Sequence, residues 1–310
     1  MRGFWLLLMT VSVAALAGCG GDSGPKPKPV KAESLPGYVV AADGHKVYFE
    51  CTGSGRPTVV FLNGWGEDSS SWLSAEDESS KLTRSCTYDR YGVGVTSQYG
   101  QLPAKARDAH DQVEELEQLL DNAGFAKPYV LVGHSWGGAL GRLYAGTHDE
   151  VEGVVFVDSS APGQDTALVD ALPPERVGEP GLFAELREGL TAKAVDNPEH
   201  LDWGKSLDEV GDVSNLGDRP EIVITAGSTF VGEESVLLPV WNRLQDEIAG
   251  LSSQSVHVKA PDATHFIQQD NPELVQTAIR ALVSAVRNDE RLATCQVIFS
   301  GVAGAECVGS

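Results

Sequence analysis

The chain has 310 residues with 23 basic and 44 acidic side chains, a formal net charge of −21. So acidic a chain lacks the clustered Lys and Arg that phosphates require, which excludes nucleic acid as a partner; the charge reads as solubility. There are five cysteines but no C-x-x-C pair and no H-E-x-x-H, so metal ligation has no spacing to support it.

The N-terminal segment reads as an export signal. Arg2 supplies the positive charge, residues 4–17 (FWLLLMTVSVAALA) form an apolar run too short for a bilayer span, and LAGC closes it on small residues. Ending on Cys19, the segment resembles a bacterial lipoprotein lipobox. That resemblance implies removal of residues 1–18, a diacylglycerol on the Cys19 sulfur, and anchorage to the cell-envelope membrane on its extracytoplasmic side. Residues 19–36, rich in Gly, Pro and Ser, read as a flexible tether. Residues 1–34 hold four basic and two acidic side chains, so the remainder carries 19 against 42, a net −23. About 275 residues then remain, enough for one large core.

Strand and helix patterns alternate from residue 37 onward. YVV (38–40) is an opening strand, Asp43-Gly44 a hairpin turn, and KVYFEC (46–51) its partner. PTVVFLNG (57–64) is apolar enough to be covered on both faces, and CTYDRYG (86–92) is a shorter run. Residues 104–123 put Ala109, Val113, Leu116, Leu119 and Leu120 on one helical stripe, stopped by Gly124. PYVLVGHS reads as strand and turn, GGALGRLYAG as helix, and VEGVVFVDSS (151–160) as another buried strand. Residues 161–218 break the rhythm with Pro-rich, acidic, short helical pieces and read as an inserted cap. EIVIT, a helix near 235–249, the strand SVHVK (255–259) and the helix 272–286 resume it. Strand–helix alternation at this spacing predicts an α/β fold, a mostly parallel sheet with helices on both faces. The core then comprises 37–160 and 219–288, with a tail at 289–310.

The chemistry centres on Gly133-x-Ser135-x-Gly137, where an apolar strand runs straight into a helix. This is the context of a nucleophile elbow: a strained turn exposes the serine hydroxyl, and small flanking residues let strand and helix pass. GHSWGG, with FLNGWG before it, YDRYGVG between and THFIQQDNPELV near the end, resembles an α/β-hydrolase of the esterase and prolyl-aminopeptidase-like kind over essentially all of 37–288. The resemblance implies an eight-stranded α/β-hydrolase sheet and a serine nucleophile, Ser135. It also implies an oxyanion hole from the amides of Trp136 and Trp65, although Asn63 stands where the family commonly has histidine. His265 is implied as the base; His257 lies inside a strand and reads as structural, and His134 adjoins the serine but points away. Asp89 and Arg90 of YDRYG read as fixing loops rather than reacting.

The acid is the open question. In the family's usual place, after EIVIT, the chain has Gly227, Ser228, Thr229 and Phe230, none of them a carboxylate. Asp158, closing VEGVVFVD one strand earlier, is the leading candidate, because a carboxylate ending an apolar run needs a partner. Glu233 or Glu234 further along the same loop is the alternative, and Asp262 beside His265 a weaker one. The family's sheet order implies that Cys51 and Cys86 lie on neighbouring strands and can bridge; Cys295 and Cys307 would then close a small loop in the tail, with free thiols as the alternative. The reading is therefore a membrane-tethered serine hydrolase acting without a cofactor on a small-molecule ester, or on a short peptide with a free N-terminus. A serine in place of an aspartate nucleophile argues against epoxide or haloalkane hydrolysis. A hydrolase-shaped binding lipoprotein without catalysis is the rival from another class.

Overall fold

The computed structural model describes residues 37–41, 44–100, 102, 105–189, 197–229 and 234–309. The expected signal segment, the tether with Cys19, the turn residue Asp43 and Glu233 lie outside them.

Nine strands form one sheet among the described residues, in the order β1-β2-β4-β3-β5-β6-β7-β8-β9. β1 (Gly37–Val40), β2 (Lys46–Thr52) and β4 (Ser85–Tyr88) pair antiparallel at one edge. β3 (Thr58–Leu62), β5 (Tyr129–His134), β6 (Val151–Val157), β7 (Glu221–Ser228) and β8 (Ser255–Thr264) run parallel through the centre. The central strands read as unbroken apolar runs because both faces are covered. In β5, Val130 and Val132 face one core and Leu131 the other.

On the first face lie α1 (Leu73–Ser80) and α9 (Pro272–Asn288); on the second lie α2 (Ala109–Ala123), α3 (Trp136–Thr147) and α7 (Glu234–Ile248). The stripe expected from residue 104 becomes helical only at Ala109, because Asp108 and Asp111 close a reciprocal capping box. Between β6 and β7 the chain inserts α4 (Gln164–Ala171), α5 (Gly181–Gly189) and α6 (Trp203–Gly211), the last packed on α2 and α3. A short α8 (Ile267–Asp270) precedes α9, and α10 (Cys295–Ile298) follows it.

Two departures from the sequence expectation bear on the site. The sheet carries a ninth strand, β9 (Glu306–Cys307), antiparallel to β8; two residues are too few to show a periodicity. The stretch APDAT, expected to be a loop, is the end of β8. Gly227 permits this, since a Cβ there would fall 2.1 Å from the Pro261 carbonyl oxygen, and a register shift between Ala226 and Ser228 absorbs the irregularity. Both disulfides are present, Cys51–Cys86 across the directly paired residues of β2 and β4, and Cys295–Cys307 holding the tail to the sheet edge.

Candidate active site

Ser135 sits between β5 and α3 with φ 50° and ψ −121°, a left-handed conformation that a non-glycine residue adopts only under constraint. The constraint is steric. A Cβ at Gly133 would stand 2.5 Å from the Gly137 carbonyl oxygen, and one at Gly137 only 2.1 Å from that of Leu62. Strand β5 and helix α3 therefore pass closer than any side chain allows. The Ser135 amide donates to the Val157 carbonyl (3.1 Å), and its own carbonyl accepts from Ser160 N (3.0 Å), tying the elbow to the end of β6.

That same strand end carries Asp158, fully buried and also in the left-handed region, with φ 42°. Its carboxylate is saturated with donors. Oδ1 accepts from Ala226 N (2.9 Å) and Trp241 Nε1 (2.8 Å); Oδ2 accepts from the Thr229 hydroxyl (2.7 Å) and lies 2.7 Å from His265 Nδ1. Burial pushes the carboxyl pKa up, but His265, Trp241 and the Ala226 amide outweigh it and hold it below the ordinary aspartate value. The structure thus brings Asp158 and His265 together, with the partly exposed imidazole flanked by His134, Trp241 and Phe266. Asp262 lies on β8 and faces solvent. Glu234 opens α7, its side chain outside the described part. His257 is a strand residue bonded to Thr225 (2.8 Å), and burial drives its pKa down to about 4.

Trp136, the other expected oxyanion donor, is the first residue of α3, where an N–H has no acceptor within the helix. Its buried indole donates to Gln112 Oε1 (2.7 Å). Trp65 lies on the 63–66 loop and is 46% exposed. Arg90 clamps this loop from beneath, donating to the carbonyls of Asn63 and Gly64 (2.7 Å each). Arg90 in turn makes a two-pronged pair with Glu199 (Nε–Oε2 2.8 Å, Nη2–Oε1 2.9 Å), and Glu199 also accepts from Gly66 N and Gln112 Nε2 (2.9 Å each). Both charges are fully buried. Asn63, at the position where the resemblance led one to expect histidine, uses its amide to bond the Tyr88 carbonyl (2.8 Å). Asp89 accepts from Ser69 N and Val95 N (2.7 Å each), a loop-fixing arrangement.

Thr229, Trp241, Gln112 and Glu199 are the residues that sequence reasoning missed. The first two act on Asp158 rather than on the histidine. Glu199 lies in the insertion, where no periodicity marks it.

Beside Trp65 the insertion leaves a cleft of about 290 Å³ walled by Trp65, Leu182, Leu186, Leu201 and Trp203, with Asp165, Glu185 and Asn197 supplying its polar atoms. The Trp203 ring packs on both Trp65 and Trp136, centroids 6.1 and 5.0 Å away, so the cleft adjoins the two expected oxyanion donors.

Several known proteins are similar to this chain. Residues 59–277 match the model of the Alpha/beta hydrolase family. The uncharacterized protein YqjL of Bacillus subtilis is 32% identical over 233 residues, covering 73% of this chain and 83% of that protein. Epoxide hydrolase 3 of Xenopus tropicalis is 29% identical over 290 residues, covering 80% and 78%. Among solved structures, a thermophilic esterase from Thermogutta terrifontis superposes with a TM-score of 0.58 at 20% identity, over 82% of this chain and 99% of that one.

Proposed function

Since this chain belongs to the alpha/beta hydrolase family, we propose that it is a serine hydrolase cleaving a carboxylic ester through an acyl-enzyme on Ser135. The observation that carries this reading is the 2.7 Å contact between His265 Nδ1 and an Asp158 carboxylate held by three further donors. Asp158 fixes the imidazole with its hydrogen on Nδ1, which leaves Nε2 bare to take the Ser135 proton. The serine oxygen adds to the carbonyl carbon, and the amides of Trp65 and Trp136 stabilise the oxyanion. His265 returns the proton to the leaving alcohol, and water then releases the acid by the same steps in reverse order of roles.

The chemistry of the nucleophile selects the substrate bond. Serine opening an epoxide or displacing a halide would leave an ether on Ser135, which water does not hydrolyse, whereas an acyl-serine turns over. The apolar, Trp-walled cleft suits the substrate's apolar portion. Its Asp165 and Glu185 carboxylates favour a second reading, an aminopeptidase that holds a free N-terminal ammonium there.

The test is a fluorophosphonate probe applied to the wild-type domain and to Ser135→Ala, followed by turnover of p-nitrophenyl esters and of amino-acid p-nitroanilides. Labelling abolished by Ser135→Ala with ester turnover supports the proposal; turnover of the anilides alone favours the aminopeptidase. An unlabelled wild type overturns both and leaves a binding protein.

Attachment to the membrane through Cys19 is also proposed, supported by the LAGC motif after the apolar run and the Gly/Pro-rich segment that follows. Among the described residues no helix is long and apolar enough to cross a membrane. Incorporation of an alkyne-tagged fatty acid in the bacterial host, lost in Cys19→Ala, is the expected result.

A further inference from the structure

A second histidine–carboxylate pair lies directly behind the first. His134, fully buried on β5 beside Ser135, places Nε2 2.8 Å from the backbone carbonyl oxygen of His265 and Nδ1 2.9 Å from Glu67 Oε1. The His134 and His265 rings pack against each other at a 49° tilt, centroids 4.5 Å apart. Glu67 directly follows the 63–66 loop and fits tightly beneath Gly64, where an added Cβ would meet Glu67 Oε1 at 2.3 Å and His134 Nδ1 at 2.9 Å. Three segments meet at this pair: the loop bearing Trp65, the elbow bearing Ser135, and the turn bearing His265.

Hydrogen accounting fixes the state of the pair. The His265 carbonyl can only accept, so His134 Nε2 carries a hydrogen. A neutral imidazole would then turn a bare Nδ1 toward a carboxylate oxygen at 2.9 Å, and two acceptors repel at that distance. Nδ1 and Oε1 stand at ion-pair distance but outside hydrogen-bond direction, and a proton on Nδ1 relieves the repulsion between them. Burial alone would push the Glu67 carboxyl up; His134, the Ser71 hydroxyl and His265 bring it below its ordinary value.

We propose that Glu67 and His134 share one proton and act together as a positioning pair, holding the His265 backbone in register with the Ser135 elbow and the 63–66 loop. The proposal rests on the catalytic reading of Ser135 and His265. The pair acts on His265 in two places, through the hydrogen bond to its carbonyl and through the ring contact. Removing it lets the imidazole drift, and a displacement near 1 Å at a reacting group costs on the order of 100-fold in rate.

The experiment uses the purified domain carrying ¹⁵N-labelled histidine, as wild type, Ser135→Ala, Glu67→Gln and Glu67→Ala. In wild type and Ser135→Ala, the ring ¹⁵N spectrum should show a hydrogen on His134 Nε2 and Nδ1 in a proton-bearing contact. In Glu67→Gln the amide donates to Nδ1 instead, so the extra proton is released and the Nδ1 resonance moves to that of a neutral ring. Glu67→Ala should lower kcat for p-nitrophenyl butyrate 10- to 100-fold with KM changed less than threefold, and should shift the His265 ring signals. A wild-type spectrum with bare Nδ1 overturns proton sharing. Wild-type kcat and unmoved His265 signals in Glu67→Ala overturn positioning. Should Glu67→Ala fail to fold, the Glu67→Gln spectrum decides alone. A wild type that neither labels nor turns over ester sinks the catalytic reading, while the spectrum of Ser135→Ala still reports on the pair.

Discussion

Replacing Asp158 by Asn tests the site at its centre, and the hydrogen-bond pattern dictates what the amide must do. Oδ1 accepts from two N–H groups, Ala226 N and Trp241 Nε1, neither of which can accept in return. The carbonyl oxygen of the introduced amide must therefore stay on that side, and its NH₂ falls on the side of Thr229 and His265. The Thr229 hydroxyl can rotate to accept. His265 Nδ1, 2.7 Å away, can accommodate an N–H only by giving up its own hydrogen, which moves to Nε2. That tautomer presents an N–H to Ser135 and cannot take its proton. Enforcing the wrong tautomer in a serine–histidine–aspartate site costs roughly 10⁴ in kcat, or about 5.4 kcal/mol of transition-state stabilisation. The assay is p-nitrophenyl butyrate hydrolysis alongside the rate of fluorophosphonate labelling, with KM changing little because the binding cleft is untouched. An Asp158→Asn variant retaining more than a tenth of wild-type kcat would falsify the assignment, and a parallel loss in Glu233→Gln or Glu234→Gln would move the acid there.

Other outcomes follow from groups around the site. Glu199→Ala leaves the fully buried Arg90 guanidinium without its carboxylate and should lower stability by about 3–5 kcal/mol in urea unfolding, with the 63–66 loop loosened as its Gly66 acceptor disappears. Burial raises the Glu221 carboxyl from its ordinary 4.5 to about 7, against the Ser255 hydroxyl and Arg142. The folded chain then binds that proton more tightly than the unfolded one, so Glu221 subtracts stability as pH rises from 4.5 to about 7. Glu221→Gln should flatten that slope and raise stability at pH 8 by up to about 3 kcal/mol, seen as Tm against pH. Cys295→Ala with Cys307→Ala opens a loop of sequence separation 12 and should cost roughly 3 kcal/mol in the chain-entropy model, with the rate of fluorophosphonate labelling unchanged at low temperature because the tail lies at the sheet edge.

What the sequence made legible divides along physical lines. β3, β5 and β6 are continuous apolar runs because both faces are covered, and Gly133 and Gly137 betray the elbow because no side chain fits there. The ending of β8 was not legible: APDAT carries a proline and a charge, both ordinary in loops, and extends as strand only because Gly227 across from it has no Cβ. Glu199 was equally hidden. Its role depends on Arg90, 109 residues earlier, and no local pattern encodes a pairing over that distance. His134 was expected to point away from the serine. It does face the back of the site, but it is bonded to the carbonyl of His265 rather than idle.

The missing carboxylate after β7 has a positive counterpart. At the end of that strand the chain supplies donors in place of an acceptor: Ala226 gives its backbone N–H and Thr229 its hydroxyl, both to Asp158 on the adjacent strand. Trp241 from α7 adds a third. A buried carboxylate is tolerated only when its charge is met, and Asp158 at φ 42° turns out of the sheet just where β7, α7 and the turn after β8 converge on it. On the proposed reading, with the acid one strand earlier, the end of β7 serves as a donor platform for it. Thr229→Val should therefore impair catalysis through Asp158, to which the Thr229 hydroxyl donates. Losing one of four partners weakens the charge-assisted set by about 1–3 kcal/mol, a 5- to 150-fold loss in kcat if it all falls on the transition state. Thr229→Ser, which keeps the hydroxyl, should restore the rate. If Val and Ser variants both match wild type, the donor platform has no part in catalysis.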